Sequence, residues 1–167
     1  DAIAGVAFNL PIFFLMLGLT MGLGSGVTAS IARSIGEKNK FNADRSASHA
    51  ILIAGVISFI FTIAGIIYGE SILIILGAEG EILSLGYEYL SSIVIGLPFM
   101  VFSGCFRSIL AGEGDMKFPM MIAGLGTILN IILDPIFIFD LDNYWNLGLG
   151  LGVKGAALAT VISQLTV

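Results

Sequence analysis

Residues 2–32 read AIAGVAFNLPIFFLMLGLTMGLGSGVTASIA, a run from Ala2 to Ala32 without one charged side chain. A helix rising about 1.5 Å per residue crosses a hydrocarbon layer of roughly 30 Å in about 20 residues. The run is longer than that, so as a membrane helix it is expected to tilt, to kink near Pro11, or to protrude. Three further stretches are also uncharged: Ser46 to Gly69, Tyr89 to Phe106, and Phe118 to Leu133. The last reaches spanning length only by continuing through Asp134 and Pro135 to Phe139, which makes Asp134 an acid inside the membrane.

The rest of the chain fits that solvent. Of its 167 residues 57% are hydrophobic and 11% charged, with a mean hydropathy of +1.03. A soluble domain carries about 25% charge. A net charge of −5 with seven basic residues excludes a basic nucleic-acid binder. The single cysteine, Cys105, excludes a disulfide scaffold and reads as a small core residue. The expected fold is an all-α polytopic transmembrane helix bundle with spans over roughly 2–33, 46–69, 85–111, 118–139 and 153–167. The last segment is too short to cross, so the sequence reads as an excerpt of a larger membrane protein. The first run is too long for a signal peptide, lacks a basic leader and is followed by more spans.

Basic residues set the expected orientation. Four of the seven lie between Arg33 and Arg45, and Arg107 and Lys117 flank the third connection; the second, from Gly69 to Glu88, is acidic. By the positive-inside rule the first and third connections are cytoplasmic and the N-terminal end lies outside, with Tyr144 and Trp145 in an outer aromatic belt. Gly18, Gly22 and Gly26 share a helix face, and a stripe without side chains is expected to pack closely against a neighbour or, secondarily, to line a cavity. Pro11, Pro98 and Pro135 each deprive one carbonyl of its helical donor, which membrane helices accept where another group satisfies it.

Asn130 and Asp134 are the sharpest pair. Four residues apart, they project from one face, and Pro135 frees the carbonyl of Ile131. An amide oxygen, a carboxylate and a spare carbonyl are hard donors, suited to a proton or an alkali cation such as Na+ and to no softer metal. A charged carboxylate in hydrocarbon costs at least about 2.5 kcal/mol, so it is expected to face the bundle interior. The alternative is that Asp134 marks the outer end of its helix. His49 reads as interfacial, and Arg107 as a side chain that snorkels or braces a loop. Gly150-Leu-Gly-Val-Lys-Gly155 formally fits a dinucleotide-binding fingerprint but has no strand–helix–strand setting and reads as a turn. No catalytic triad, P-loop or metal-ligand cluster can be assembled, so no enzyme and no cofactor is expected.

Several motifs together resemble a known family. The stretches are Asp1-Ala-Ile-Ala-Gly-Val with Pro11, Gly22 through Arg33 to Gly36, Ala111-Gly-Glu-Gly-Asp-Met-Lys-Phe-Pro119, Asn130-Ile-Ile-Leu-Asp-Pro-Ile-Phe-Ile-Phe139, and Gly152-Val-Lys-Gly-Ala-Ala-Leu-Ala-Thr-Val-Ile-Ser163. In this order they look like multidrug and toxic compound extrusion (MATE) transporters, with Gly114, Asp115 and Pro119 as a cytoplasmic-loop element. The resemblance implies helices two to five and the start of six, in the first of two six-helix bundles of a twelve-helix transporter, with the C-terminal bundle beyond this sequence. It implies export of drugs or metabolites, often organic cations, across the plasma membrane in exchange for H+ or Na+. It also places cation coupling at Asn130, Asp134 and Thr160, with a further acid on a first helix. Two other readings stand beside it: a lipid-linked oligosaccharide flippase of related architecture, and a non-transporting membrane anchor or scaffold.

Overall fold

The computed structural model describes residues 2–139 and 149–166. Within them the chain is helical: α1 Ala2–Ala7, α2 Leu10–Gly36, α3 Lys40–Ile75, α4 Gly80–Glu113, α5 Lys117–Ile138 and α6 Gly152–Leu165. Four segments are long and apolar enough to cross a membrane, the first counting α1 and α2 together as Ala4–Gly36. The protein is a multi-pass membrane helix bundle. Large apolar side chains cover its outside, with Ile75 83% and Phe41 74% exposed, an arrangement that only lipid or a partner surface makes favourable.

The helices outrun the uncharged windows. α3 begins at Lys40, so Asp44, Arg45 and the exposed His49 are helical, and the connection expected from Arg33 to Arg45 shrinks to three residues, Glu37 to Asn39. Asn39 caps α3 by accepting from the Asn42 amide at 3.1 Å. Likewise Glu70 lies on α3 and Glu81 and Glu88 on α4. Charge marks where a helix leaves the hydrocarbon, not where it ends. Tyr144 and Trp145 lie outside the described residues.

The central element is α4, which packs against α1, α2, α3 and α6 but scarcely touches α5; α5 rests on α6. One core joins Val27 and Ile31 of α2, Ala50 and Ala54 of α3, and Leu97, Val101 and Cys105 of α4. The other gathers Leu73, Ala78, Leu90 and Val94. With no hydrophobic force between helices in lipid, close approach depends on small residues. A Cβ on Gly65 would stand 2.7 Å from Val94, one on Gly112 2.8 Å from Ile31, and one on Gly96 would collide with Val161.

Among the described residues the stripe of Gly18, Gly22 and Gly26 meets no neighbouring helix. All three are exposed, and an added Cβ at any of them meets nothing within 4 Å. The buried face of α2 is Gly24, Val27, Ile31 and Ser34. Two residues correspond to about 200° around a helix, so Gly22 and Gly26 point away from the side that Gly24 turns toward Ser108. Nor do the three line the cavity between α2 and α4 described below.

Candidate functional site

Along α5 the pair read from the sequence is formed: the Asn130 amide Nδ2 donates to Asp134 Oδ1 at 3.2 Å. Both side chains are half-buried, and Asp134 stands four residues before Ile138, about 6 Å from that end of the helix. Pro135 continues the helix but offers no N–H to the Ile131 carbonyl. The last turn is held from outside, where Leu149, Gly150 and Leu151 donate backbone N–H groups to Ile136, Phe139 and Phe137.

A third group sits nearby that the sequence reading did not select. The Tyr89 phenol of α4 lies within electrostatic reach of the Asp134 carboxylate. The available signal was a hydroxyl at the mouth of an uncharged run, where a polar atom needs a partner. Thr160 is placed less directly. α5 and α6 pack on each other with Gly155 pressed on the Phe137 carbonyl, and Thr160 follows five residues later on α6. Its hydroxyl donates to Ala156 O at 2.9 Å within its own helix. Among the described residues no group of three His, Cys, Asp or Glu side chains comes together.

The three prolines behave differently. Pro11 is the second residue of α2, and the first span is interrupted just before it at Phe8 and Asn9. Asn9 holds this break shut. It is 4% exposed, and its Nδ2 donates to Gly5 O and to Gly86 O of α4, each at 3.0 Å, while its Oδ1 has no partner. The sequence pointed to Pro11 and missed Asn9, whose long-range bond no local pattern announces. Pro98 lies inside α4, and the Val94 carbonyl it deprives accepts instead from the Thr62 hydroxyl of α3 at 3.4 Å.

The loop motif resolves into capping chemistry. Gly114 ends α4 with φ +89, a left-handed conformation that glycine adopts freely. Asp115 Oδ1 then accepts from the Lys117 and Phe118 amides, each at 3.1 Å, and Pro119 is buried in the first turn of α5. Arg33 and Glu37 form an exposed pair at 3.7 Å, and Gly36 stands in open space at the end of α2. Arg107 lines a cavity of about 490 Å³ between α2 and α4, whose walls include Phe13, Met16, Met21, Phe61 and Met100.

A bundle of this shape is shared by a known group of proteins: residues 1–136 match the family model MatE. The chain belongs to the MatE family. That family consists of membrane transporters, not enzymes. Among curated relatives, the chain is 30% identical to the FAD transporter of Shewanella oneidensis, covering 99% of this chain and 36% of that protein. It is 32% identical to the multidrug export protein MepA of Staphylococcus aureus, over 98% of this chain and 34% of MepA. The chain thus spans about a third of the length of these relatives. Among solved structures, a crystal structure of MATE in the bent conformation superposes with a TM-score of 0.91 at 36% identity, covering 99% of this chain and 35% of that one. The straight conformation gives 0.88 at 36% identity, over 98% and 34%.

Proposed function

We propose that the complete protein exports amphipathic organic compounds, organic cations among them, across the plasma membrane by secondary active antiport. Asn130 and Asp134 serve as the coupling site for H+ or Na+, and Thr160 completes it from α6. The observation that carries this reading is the Asn130 to Asp134 hydrogen bond of 3.2 Å, half-buried beside a proline-freed carbonyl. When the carboxyl gains a proton or a cation its desolvation becomes cheap, and when it loses one the charge must again be solvated. A ligand shifts an equilibrium only by its differential affinity for two shapes, and this charge change supplies such a difference. Solved MATE relatives include inward-facing and outward-facing forms, which supports alternating access. Relatives named as multidrug exporters support the choice of substrate. The positive-inside rule puts the Arg33 end in the cytoplasm and the Asp134 end outside.

The test is efflux of a fluorescent organic cation by the full-length protein in vesicles, with pH and sodium gradients imposed separately. One gradient is expected to drive efflux in the wild type and neither in Asp134→Asn, with both proteins inserted equally. Undiminished gradient-driven efflux by Asp134→Asn overturns the reading.

A further inference from the structure

The two faces of α3 differ in composition. The buried one, packed on α2 and α4, is built from small residues such as Ala50, Ala54, Ser58 and Gly69. The other is a ridge running through Leu52, Val56, Phe59, Ile63 and Ile67, and every exposed residue from Leu52 to Ile67 is a large apolar one. Membrane helices approach one another through small residues, so this ridge is shaped for acyl chains and not for another helix. Toward the first turn of α3 the same ridge becomes basic. His49 and Arg45 are exposed on it, four residues apart, with the exposed Phe41 one turn further. Along the axis the two are separated by about 6 Å, the thickness of the headgroup layer that flanks the hydrocarbon. Among the described residues the ion pair is Arg33 with Glu37, so neither Arg45 nor His49 has a carboxylate within 4.0 Å. Asp44 stands about 100° around the helix from Arg45. Lys38 and Lys40 flank the Asn39 cap just before. At its other end α3 exposes Glu70 and, from there to Ile75, carries no basic residue.

We propose that Arg45 and His49, with Lys38 and Lys40, bind the headgroup of one anionic phospholipid whose acyl chains lie along the Leu52 to Ile67 ridge. The guanidinium matches the two free phosphate oxygens as a planar fork. The imidazole, nearer the hydrocarbon, offers an N–H to an ester oxygen in either tautomer. A choline headgroup carries the same phosphate but adds an ammonium, which meets the lysines as a like charge; a glycerol headgroup does not. A free phosphate shares the oxyanion and lacks the chains, and the proposal commits to the lipid because the apolar ridge continues directly from the cations. The site is independent of the efflux reading and of the ion that drives it. Only its assignment to the cytoplasmic leaflet, the anionic one, rests on the orientation given there.

The test reads lipid composition at the ridge itself. The full-length protein carries a bimane label at Leu52→Cys or, in a second sample, at Ile67→Cys; Cys105 is buried and competes little for the label. In phosphatidylcholine bilayers, quenching by doxyl-labelled phosphatidylglycerol is compared with quenching by doxyl-labelled phosphatidylcholine at equal mole fraction. At position 52 phosphatidylglycerol is expected to be favoured about tenfold, the effect of one to two cations at a membrane surface, and at position 67 about equally or less. Arg45→Gln combined with His49→Gln lowers the ratio at position 52 to about two, the remainder belonging to the lysines. Arg45→Lys, which keeps the charge and loses the fork, is intermediate. Arg33→Gln removes an equal charge from the paired arginine nearby and leaves the ratio near ten. Equal quenching by both lipids at position 52 overturns the proposal, as does a ratio unchanged in the double variant. An equal fall in Arg33→Gln, or the same preference at position 67, shows a diffuse field in place of a site and also overturns it. So does loss of the preference on adding inorganic phosphate at an ionic strength where chloride has no effect, which assigns the cations to a free oxyanion. Should the double variant not reach the membrane, Arg45→Lys and Arg33→Gln decide in the same way.

Discussion

The Thr62 hydroxyl of α3 bonds the Val94 carbonyl of α4 at 3.4 Å, the one acceptor in that helix that Pro98 leaves without a helical donor. A defect on one helix is thus answered by a side chain on its neighbour, which adds a polar tie to two elements that otherwise meet through apolar residues such as Ala54, Leu73, Leu90 and Leu97. In membranes such interhelical bonds contribute on average about 0.6 kcal/mol. Thr62→Val is expected to cost about that much in the wild type and almost nothing in Pro98→Ala, where the alanine N–H takes over the carbonyl. The double-mutant cycle, followed by thermal unfolding in detergent, reads the coupling.

Gly112 and Gly22 make opposite predictions. A methyl group at Gly112 would stand 2.8 Å from the Ile31 Cβ, whereas one at Gly22 meets nothing. Gly112→Ala should destabilise the bundle by about 1–3 kcal/mol, and Gly22→Ala should leave it within about 0.5 kcal/mol of the wild type. Melting temperatures of the purified proteins compare the two directly.

Asp115 acts as a cap, so its removal is a stability effect. Asp115→Ala leaves the Lys117 and Phe118 amides without their acceptor and is expected to cost about 1 kcal/mol. Asp115→Asn retains an oxygen and should recover most of it. Gly114→Ala strains a backbone at φ +89 and should cost a similar amount. Equal melting of Asp115→Ala and wild type would show that the amides are satisfied by other groups.

At Asn9 the order of variants is diagnostic. Asn9→Leu loses two hydrogen bonds of 3.0 Å but also the partnerless Oδ1, giving a net cost of about 1–2 kcal/mol. Asn9→Asp loses the same donors and buries a carboxylate, so it should be the less stable of the two. Unfolding of both variants in the same detergent checks the ranking.

Asn130→Ala removes the donor to Asp134 and one oxygen of the proposed coupling cluster. The driving-ion concentration for half-maximal efflux is expected to rise about tenfold, as for loss of a group that orients an ion ligand. Vesicle efflux measured against graded ion gradients tests this, with insertion checked separately.

Much of this was legible in the sequence because lipid replaces periodicity with a simpler rule: where charges are missing for about 20 residues, a helix must satisfy its own backbone. That rule finds the four spans, and residue spacing within a turn finds Asn130 with Asp134. Facing is harder. Gly18, Gly22 and Gly26 form as regular a stripe as Gly24, Val27 and Ile31, and only the position of α4 distinguishes the buried one. Contacts between distant positions, such as Asn9 with Gly86, depend on how neighbouring helices register and leave no local mark. Helix ends were underestimated at Lys40 and Ile75 because polar residues continue a helix beyond the hydrocarbon without breaking it.

Since α5 leans on α6 and barely meets α4, the bundle contains a seam. On one side stands a keyed block, α2 through α4, interlocked by glycine notches and shared carbonyls. On the other leans α5, joined to the block at the Gly114 elbow, resting on an α6 that is itself notched into α4 where Gly96 meets Val161, and carrying the acid near its far tip. Displacement at that tip is borne first by the thin α4–α5 joint, with α6 and the helices it is keyed into as the abutment.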